Sequence, residues 1–298
     1  MVPKAWELRE TAIHSMSTTR IRNIAITCIR TASDPQITPY VELSGKQLKN
    51  RLNPNDALVI LESLNVLRFA LESGVKLVSV LVDARHLERL LEQLPQLGEG
   101  GVPIYYAQRE VLSAIAGIDV TRGYLACAKR PRPLGMDELL SLARRIVVLE
   151  GLTDVSNVGA IFRSCVALGA DGIMLSPECA DPLNRRAIRV SMGTVLRLPW
   201  TRAERPWPTS SLAALGERGF RTVALTPGGA SPLDAVAEGL GADERVALFL
   251  GSEGWGLSKD VLAACDSRAT IAMAEGIDSL NVATASALAC WEFFAKRR

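Results

Sequence analysis

The sequence predicts an α/β protein in two parts, and three observations support this fold class. Short apolar runs alternate with amphipathic segments along the whole chain, as strands and helices do. A basic segment with two prolines, residues 129–135, separates one complete alternation from a second. In the second alternation helices mostly separate single strands, which favours a parallel sheet. At 298 residues the chain is long enough for two ordinary domains or one large domain.

The first part alternates four predicted strands with two predicted helices. Residues 57–61 form a continuous apolar run that is typical of a buried strand. Gly74 marks the end of the helix that follows it. The strands are predicted at 57–61, 77–82, 103–106 and 123–128, and the helices at 63–72 and 87–94.

The second part contains five predicted strands. A helix at 157–168 is expected to end at Gly169, because glycine readily adopts the left-handed conformation that ends many helices. The strands are predicted at 146–149, 172–175, 222–225, 246–250 and 270–273, and the other helices at 137–144, from Ser258, and at 282–296.

Composition narrows the classes of function. The formal net charge is only +2, so any surface for a nucleic acid must be a local patch. No apolar stretch approaches the roughly 20 residues of a membrane helix, and the polar start lacks the apolar run of a secretory signal, so we expect a cytoplasmic protein. Six cysteines without a Cys-x-x-Cys pair suit reduced, buried thiols, and no metal site is expected. Both histidines, His14 and His86, lie in the first third, so the second part works without imidazole.

A glycine-rich turn, residues 251–256, follows the predicted strand 246–250 directly. Glycines let backbone groups approach a ligand closely, although they can also serve only to shape a tight turn. The turn is neither a dinucleotide fingerprint, because Ile271 stands where the acidic residue belongs, nor a phosphate loop, because Leu257 follows Gly256. A carboxylate between glycines, Glu253, more often binds or orients a group than supports the backbone.

Two other polar segments precede helices in the second part. Asn157 is a candidate N-cap, and Arg163 lies six positions later, so both project from a similar angular sector of one helix. Taken alone, Arg163 would be interpreted as a solvated surface residue. Ser279 and Asn281 precede the last, alanine-rich helix and could cap it or hold a polar ligand.

Residues 157–163, 251–256 and 279–283 read Asn-Val-Gly-Ala-Ile-Phe-Arg, Gly-Ser-Glu-Gly-Trp-Gly and Ser-Leu-Asn-Val-Ala. In this order they resemble the three motifs of the SpoU (TrmH-like) RNA 2'-O-ribose methyltransferases of the SPOUT superfamily. Residues 181–193 also resemble the family's extended first motif. The resemblance is strong over residues 145–298. The first part is more loosely similar to the family's ribosomal-protein-like substrate-binding domain, and it departs from the usual Glu-Gly-Glu, which here reads Leu61-Glu62-Ser63.

The resemblance implies a C-terminal SPOUT domain with a parallel sheet and a deep trefoil knot, plus a smaller N-terminal α/β substrate-binding domain. It implies an N-terminal extension at 1–40, the substrate-binding domain at 41–129, a linker at 130–143 and the methyltransferase domain at 144–298. It further implies a homodimer that binds S-adenosyl-L-methionine and methylates a ribose 2'-hydroxyl of RNA. The two-domain layout favours ribosomal RNA. A transfer RNA methyltransferase and a non-catalytic RNA-binding protein that kept the fold are the alternatives.

The resemblance also assigns site residues. Arg163 matches a family arginine proposed as a base, but a guanidinium stays protonated, so positioning and electrostatic stabilisation are expected instead. The catalytic residues are expected to be Asn157, Arg163, Glu253, Ser279 and Asn281. The cofactor-binding residues are expected to be Leu250, Gly251, Glu253, Gly254, Ile271, Met273, Leu280 and Asn281. Three basic clusters are expected to bind RNA: Lys46, Lys49 and Arg51; Lys129, Arg130 and Arg132; and Arg185, Arg186 and Arg189.

Overall fold

The computed structural model describes residues 25–41, 53–116, 123–228, 230–241, 243–277 and 279–296. Contacts divide the chain into two units, Met1–Arg130 and Pro131–Arg298. The division falls inside the basic, proline-containing segment, where proline cannot continue a helix or donate a ladder hydrogen bond.

The first unit holds a five-stranded mixed sheet in the order β1-β4-β3-β5-β2. Strands β1, β4 and β3 are parallel, and β5 runs antiparallel to both β3 and β2. The strands are β1 Ile26–Ile29, β2 Leu58–Glu62, β3 Leu77–Asp83, β4 Ile104–Ala107 and β5 Tyr124–Lys129. The helices are α1 Thr38–Val41, α2 Leu64–Glu72, α3 Leu87–Gln93 and α4 Arg109–Ala116, with single 3-10 turns at Pro35–Ile37, Pro54–Asp56, Ala84–His86 and Pro95–Gly98.

All four strands and both helices predicted for this unit are confirmed within one or two residues at each end. Strand β1 and helices α1 and α4 were not predicted. Strand β1 lies at the edge of the sheet and has only four residues. Thr27 and Cys28 interrupt its apolar residues, so the sequence shows no apolar run long enough to predict a strand. Its Ile29 is nevertheless fully buried in the core of this unit.

The second unit holds a seven-stranded sheet, parallel throughout, in the order β10-β12-β9-β11-β6-β7-β8. The predicted parallel sheet is therefore confirmed. The strands are β6 Arg145–Leu149, β7 Gly172–Leu175, β8 Trp200–Arg202, β9 Phe220–Leu225, β10 Ser231–Pro232, β11 Arg245–Leu250 and β12 Ser267–Thr270. The helices are α5 Met136–Leu142, α6 Val155–Leu168, α7 Arg185–Val190, α8 Thr209–Glu217, α9 Leu233–Glu238, α10 Lys259–Ala264 and α11 Val282–Cys290, with a 3-10 turn at Thr194–Leu196 and a π-helical continuation at Trp291–Ala295.

Helix α6 packs between two other helices of the second unit. They are α11 and α7, and Gly159 permits the close approach of α7. A Cβ at Gly159 would lie 2.6 Å from the carbonyl oxygen of Ala187, a distance that real Cβ atoms do not reach. Gly169 ends α6 with φ 89°, as the sequence predicts.

The N-terminus of α6 differs from the prediction. The helix begins at Val155, and its N-cap is Asp154, whose carboxylate accepts a hydrogen bond from the Ser156 amide at 2.7 Å. This backbone hydrogen bond lowers the pKa of the Asp154 carboxyl. Because Asp154 satisfies the helix end, Asn157 lies inside the first turn and its side-chain amide is left for other contacts.

Strand β12 also differs from the prediction, which placed it at 270–273. The Asp266 carboxylate accepts hydrogen bonds from the Thr222 amide and hydroxyl of β9, at 2.8 and 2.7 Å. This contact aligns the chain with β9, and β12 begins at the next residue, Ser267. The apolar residues Ile271 and Met273 therefore follow the strand instead of forming it.

The thiols are predominantly buried. The Sγ atoms of Cys165 on α6 and Cys290 on α11 lie 3.9 Å apart, and their hydrogen bond together with burial raises the pKa of Cys165. Burial raises the pKa of Cys127 to about 11 and that of Cys265 to about 12. These thiols are therefore protonated at neutral pH and are poor nucleophiles.

Candidate functional site

The carboxyl ends of β9, β11 and β12 open into a pocket of about 400 Å³. Parallel strands bring their carboxyl ends to one edge of the sheet, which is where ligands bind in open α/β folds. The segment before α11 closes the pocket through Ser279 and Leu280. Ile271 and Met273, which follow β12, contribute to the apolar part of the wall.

Seven of the eight predicted cofactor-binding residues line this pocket. They are Leu250, Gly251, Glu253, Gly254, Ile271, Met273 and Leu280. The eighth, Asn281, does not line it but is the N-cap of α11, where its Oδ1 accepts a hydrogen bond from the Ala283 amide at 2.9 Å. Three wall residues at the end of β9 were not predicted: Leu225, Thr226 and Pro227.

The glycine turn 251–256 is closed on itself. The Gly256 amide donates to the Ser252 carbonyl at 2.8 Å, and these residues form an antiparallel bridge. A Cβ at Gly251 would lie 2.1 Å from the carbonyl carbon of Gly256, and Gly256 has φ +65°. Glycine is therefore required at both positions, for close approach at Gly251 and for a left-handed conformation at Gly256.

The three sequence motifs meet at one carboxylate oxygen. Glu253 Oε1 accepts hydrogen bonds from Asn157 Nδ2 at 3.0 Å and from Asn281 Nδ2 at 2.6 Å. Asn281 Nδ2 also donates to Asn157 Oδ1 at 3.1 Å. Hydrogen bonds to an ionised acceptor are stronger than neutral ones, so this cluster fixes the turn to both helices. Among the residues that the structure describes, Glu253 Oε2 accepts no hydrogen bond and is left for a ligand.

The structure does not bring the other two predicted catalytic residues into this cluster. Arg163 lies on α6 beyond Asn157, is exposed, and makes no hydrogen bond or ion pair with any other described residue. Ser279 is exposed at the pocket wall. Both side chains are thus available to a ligand from outside the chain.

Glu150, which holds the chain just after the glycine turn, is a supporting residue that the sequence interpretation missed. Its Oε1 accepts from the Trp207 indole at 2.7 Å and from the Ser258 hydroxyl at 2.8 Å, and its Oε2 accepts from the Ser258 amide at 2.7 Å. Ser258 is the N-cap of α10, just after the glycine turn. Glu150 follows β6 at the same sheet edge, and that strand-end position is the signal that could have identified it.

We expect Glu150→Ala to lower the free energy of unfolding by about 2 kcal/mol, because it removes three hydrogen bonds to a charged acceptor. Glu150→Gln keeps an acceptor and should have a smaller effect. Urea unfolding followed by circular dichroism measures both changes. Glu178→Ala is the matched control, since its exposed ion pair with Arg205 (2.6 Å) contributes less than about 1 kcal/mol. Equal destabilisation by Glu150→Ala and Glu178→Ala would contradict this role.

The predicted RNA-binding residues are distributed over both units. Arg185, Arg186 and Arg189 all lie on α7, which packs on α6 beside the site. In the first unit Lys129 forms an ion pair with Asp56 at 3.3 Å. Arg130 is half-buried and Arg132 is exposed, both in the segment between the units. Lys46, Lys49 and Arg51 lie outside the described residues.

The described part of the chain contains neither a candidate metal site nor a helix that could span a membrane. It contains no group of three or more His, Cys, Asp or Glu side chains that could hold a metal ion. None of its helices has the length and apolar character needed to cross a bilayer.

Several known proteins are similar to this chain in sequence over most of its length. The model of the SpoU rRNA Methylase family matches residues 144–291. An uncharacterised tRNA/rRNA methyltransferase of Mycobacterium bovis is 39% identical over 259 residues, which cover 87% of this chain and 88% of that protein. A second protein of this description, from Mycobacterium marinum, is 30% identical and covers 79% of this chain and 75% of its own length.

Solved structures share the fold. An AdoMet-bound rRNA methyltransferase from Sinorhizobium meliloti has a TM-score of 0.74 at 22% identity, covering 90% of this chain and 97% of its own. A structure described as an RNA 2'-O ribose methyltransferase has a TM-score of 0.71 at 24% identity, with coverages of 89% and 97%. The α/β architecture with a mostly parallel sheet is therefore common to these proteins.

Proposed function

We propose, on the premise that this chain belongs to the SpoU family of RNA methyltransferases in the SPOUT superfamily, that it methylates a ribose 2'-hydroxyl in ribosomal RNA. The methyl donor is S-adenosyl-L-methionine. The observation that carries the proposal is the meeting of Asn157, Glu253 and Asn281 at one carboxylate oxygen beside the pocket. Glu253 also lines the pocket, and among the described residues no group donates to its Oε2, so this oxygen is available to a bound ligand.

The pocket fits S-adenosyl-L-methionine in size and chemistry. A volume of about 400 Å³ lies within the range of small-molecule sites. Apolar side chains from Ile271 and Leu280 suit an adenine ring, and the glycines of the turn expose backbone groups to polar atoms. The Sinorhizobium meliloti relative was crystallised with this cofactor. When bound, the donor supplies a sulfonium methyl group.

In the proposed reaction the bond between sulfur and the methyl carbon breaks as a bond from the ribose 2'-oxygen forms, and the hydroxyl proton passes to solvent. The second unit contains no histidine that could remove this proton. Arg163 is permanently cationic, so it holds an RNA phosphate and stabilises the negative charge that develops on the oxygen. Asn157, Glu253 and Asn281 hold the turn in place, and Ser279 positions the reacting groups at the pocket wall.

The proposal includes a homodimer and a deep trefoil knot, both implied by the family resemblance. Two large apolar side chains are exposed on the last helical segment: Leu288, with 41% of its surface accessible, and Trp291, with 55%. This segment packs on α6, which carries Arg163. A second copy that covers these side chains would lie close to the active site.

Basic residues on α7 should make RNA binding depend on salt. Removal of one phosphate contact reduces the steepness of log affinity against log salt by about 0.7–0.9, so Arg186→Gln should reduce it by that amount. Filter binding of ribosomal RNA between low and moderate salt measures the slope. Arg218→Gln is the control, because Arg218 is paired with Asp137 at 2.9 Å. An affinity of the native protein that does not change with salt would refute the patch on α7.

Two experiments test the function itself. Labelled S-adenosyl-L-methionine should bind the native protein while NAD does not, and a non-catalytic RNA-binding protein would bind neither. Mapping of ribose methylation in total RNA, with and without the gene, should reveal one alkali-resistant position that depends on the gene. A gene-dependent position in transfer RNA would identify transfer RNA as the substrate instead of ribosomal RNA. An unchanged map would refute the proposed methyltransferase activity.

A further inference from the structure

Trp255 is the most exposed of the large apolar side chains in the described structure, with 94% of its surface accessible. An indole is normally buried, because it carries more apolar surface than nearly any other side chain. An indole that is almost fully exposed in a folded, hydrogen-bonded turn offers its ring face to a molecule outside the chain. Trp255 belongs to the glycine turn but projects away from the protein core.

The backbone around Trp255 is fixed. Its own amide donates to the Ser252 hydroxyl at 3.3 Å, and the next amide, of Gly256, donates to the Ser252 carbonyl at 2.8 Å. Two residues before it, Glu253 is held by two side-chain amides. The backbone that carries the indole is therefore held in place, so the turn needs no ordering when the indole binds a ligand.

The space beside the indole is open. A Cβ built at either neighbouring glycine, Gly254 or Gly256, would meet no atom within 4 Å beyond its own chain neighbours. A flat ring can therefore approach the indole without displacing protein atoms. Trp255 and the rest of the turn also line the pocket, so a ring stacked on the indole would lie beside that pocket.

We propose that Trp255 stacks on a nucleobase of the RNA substrate, either that of the methylated nucleotide or an adjacent one. This inference rests on the proposed function. A ribose that presents its 2'-hydroxyl to the pocket carries its base within a few ångströms, and single-stranded RNA is commonly recognised by stacking of bases on aromatic side chains. Trp255 thereby favours unpaired nucleotides, because a base in a helix offers no free face.

Substitutions at one position separate stacking from general apolar contact. Trp255→Phe keeps a π-face, whereas Trp255→Leu keeps apolar bulk without one, and Trp255→Ala removes both. We expect KM for RNA, with total RNA from cells lacking the gene as the methyl acceptor, to rise about 5- to 150-fold in the Leu and Ala variants, the range expected when stacking of one base is removed. The Phe variant should stay close to the native protein. Leu142→Ala, an exposed apolar residue of α5 outside the pocket wall, is the control.

Fluorescence gives a second readout that does not require turnover. A short single-stranded oligoadenylate should quench the emission that disappears in Trp255→Phe, and an abasic oligonucleotide of equal length should not. Native affinity for RNA in the Leu and Ala variants, or equal quenching by both oligonucleotides, would overturn the inference. Conversion of a native dimer to a monomer by Trp255→Ala would also overturn it, since the occupant would then be protein. If the native protein binds no S-adenosyl-L-methionine, the proposed function fails, while quenching still reports on stacking.

Discussion

Arg163→Ala is expected to reduce methyl transfer to RNA by a factor of about 100 or more, the usual effect of removing a group that stabilises transition-state charge. The affinity for S-adenosyl-L-methionine should be nearly unchanged, because Arg163 does not line the pocket. Arg163 is exposed and makes no hydrogen bond or ion pair with another described residue, so the substitution breaks no internal contact. Single-turnover transfer of labelled methyl groups, with cofactor binding measured by calorimetry, separates the two quantities.

Arg163→Lys distinguishes the geometry of the guanidinium from its charge. If the planar, two-pronged donor is needed to hold a phosphate, lysine should also fail, because an ammonium is only a point charge. Arg221→Ala, on β9, is a control for the removal of one exposed arginine. Turnover at the native rate in Arg163→Ala would remove this residue from the mechanism.

Gly251→Ala should lower the affinity for S-adenosyl-L-methionine about 5- to 150-fold, in line with the 1–3 kcal/mol typical of overpacking. The added Cβ would lie 2.1 Å from the Gly256 carbonyl carbon and 2.3 Å from the Leu257 nitrogen. Both are backbone atoms, so the turn must open to admit it. Opening the turn would move Glu253 away from its two asparagine partners. Equilibrium binding of the labelled cofactor measures the change in affinity.

Gly216→Ala is the matched control for this prediction. Gly216 lies on α8, and a Cβ there would meet no atom within 4 Å. Alanine also favours a helix more than glycine does, so this variant should bind the cofactor normally and unfold no more easily than the native protein. Native cofactor affinity in Gly251→Ala would mean that the pocket does not depend on the closed turn.

The sequence predicted the helices and strands that are determined by the residues within them. Strand β7 was placed to the residue, because Gly172–Leu175 is a short apolar run between turn residues. The N-terminus of α6 and the position of β12 were wrong, because each depends on one particular side-chain hydrogen bond. Asp154 competes with Asn157 for the helix end, and Asp266 binds Thr222, which is 44 residues away in the chain. No pattern of apolar residues reports such hydrogen bonds.

The site was predictable where polar residues stand at strand ends without a structural need. Glu253 satisfied that test, and the structure places it where the three motifs meet. Glu150 was missed because one acidic residue after a strand is common, and its partners Trp207 and Ser258 are distant in sequence. Trp255 stands within a recognised motif, but the exposure of its indole is a property of the folded turn and has no signal in the sequence.

The carboxylate cluster draws on positions 157, 253 and 281, so its members are synthesised up to 124 residues apart. A ribosome that is still making this protein therefore exposes a chain whose donor site is unfinished until α11 has emerged and docked on α6. Shortened chains that end before Asn281 would contain every strand of the sheet but would lack one of the two side-chain amides that donate hydrogen bonds to Glu253.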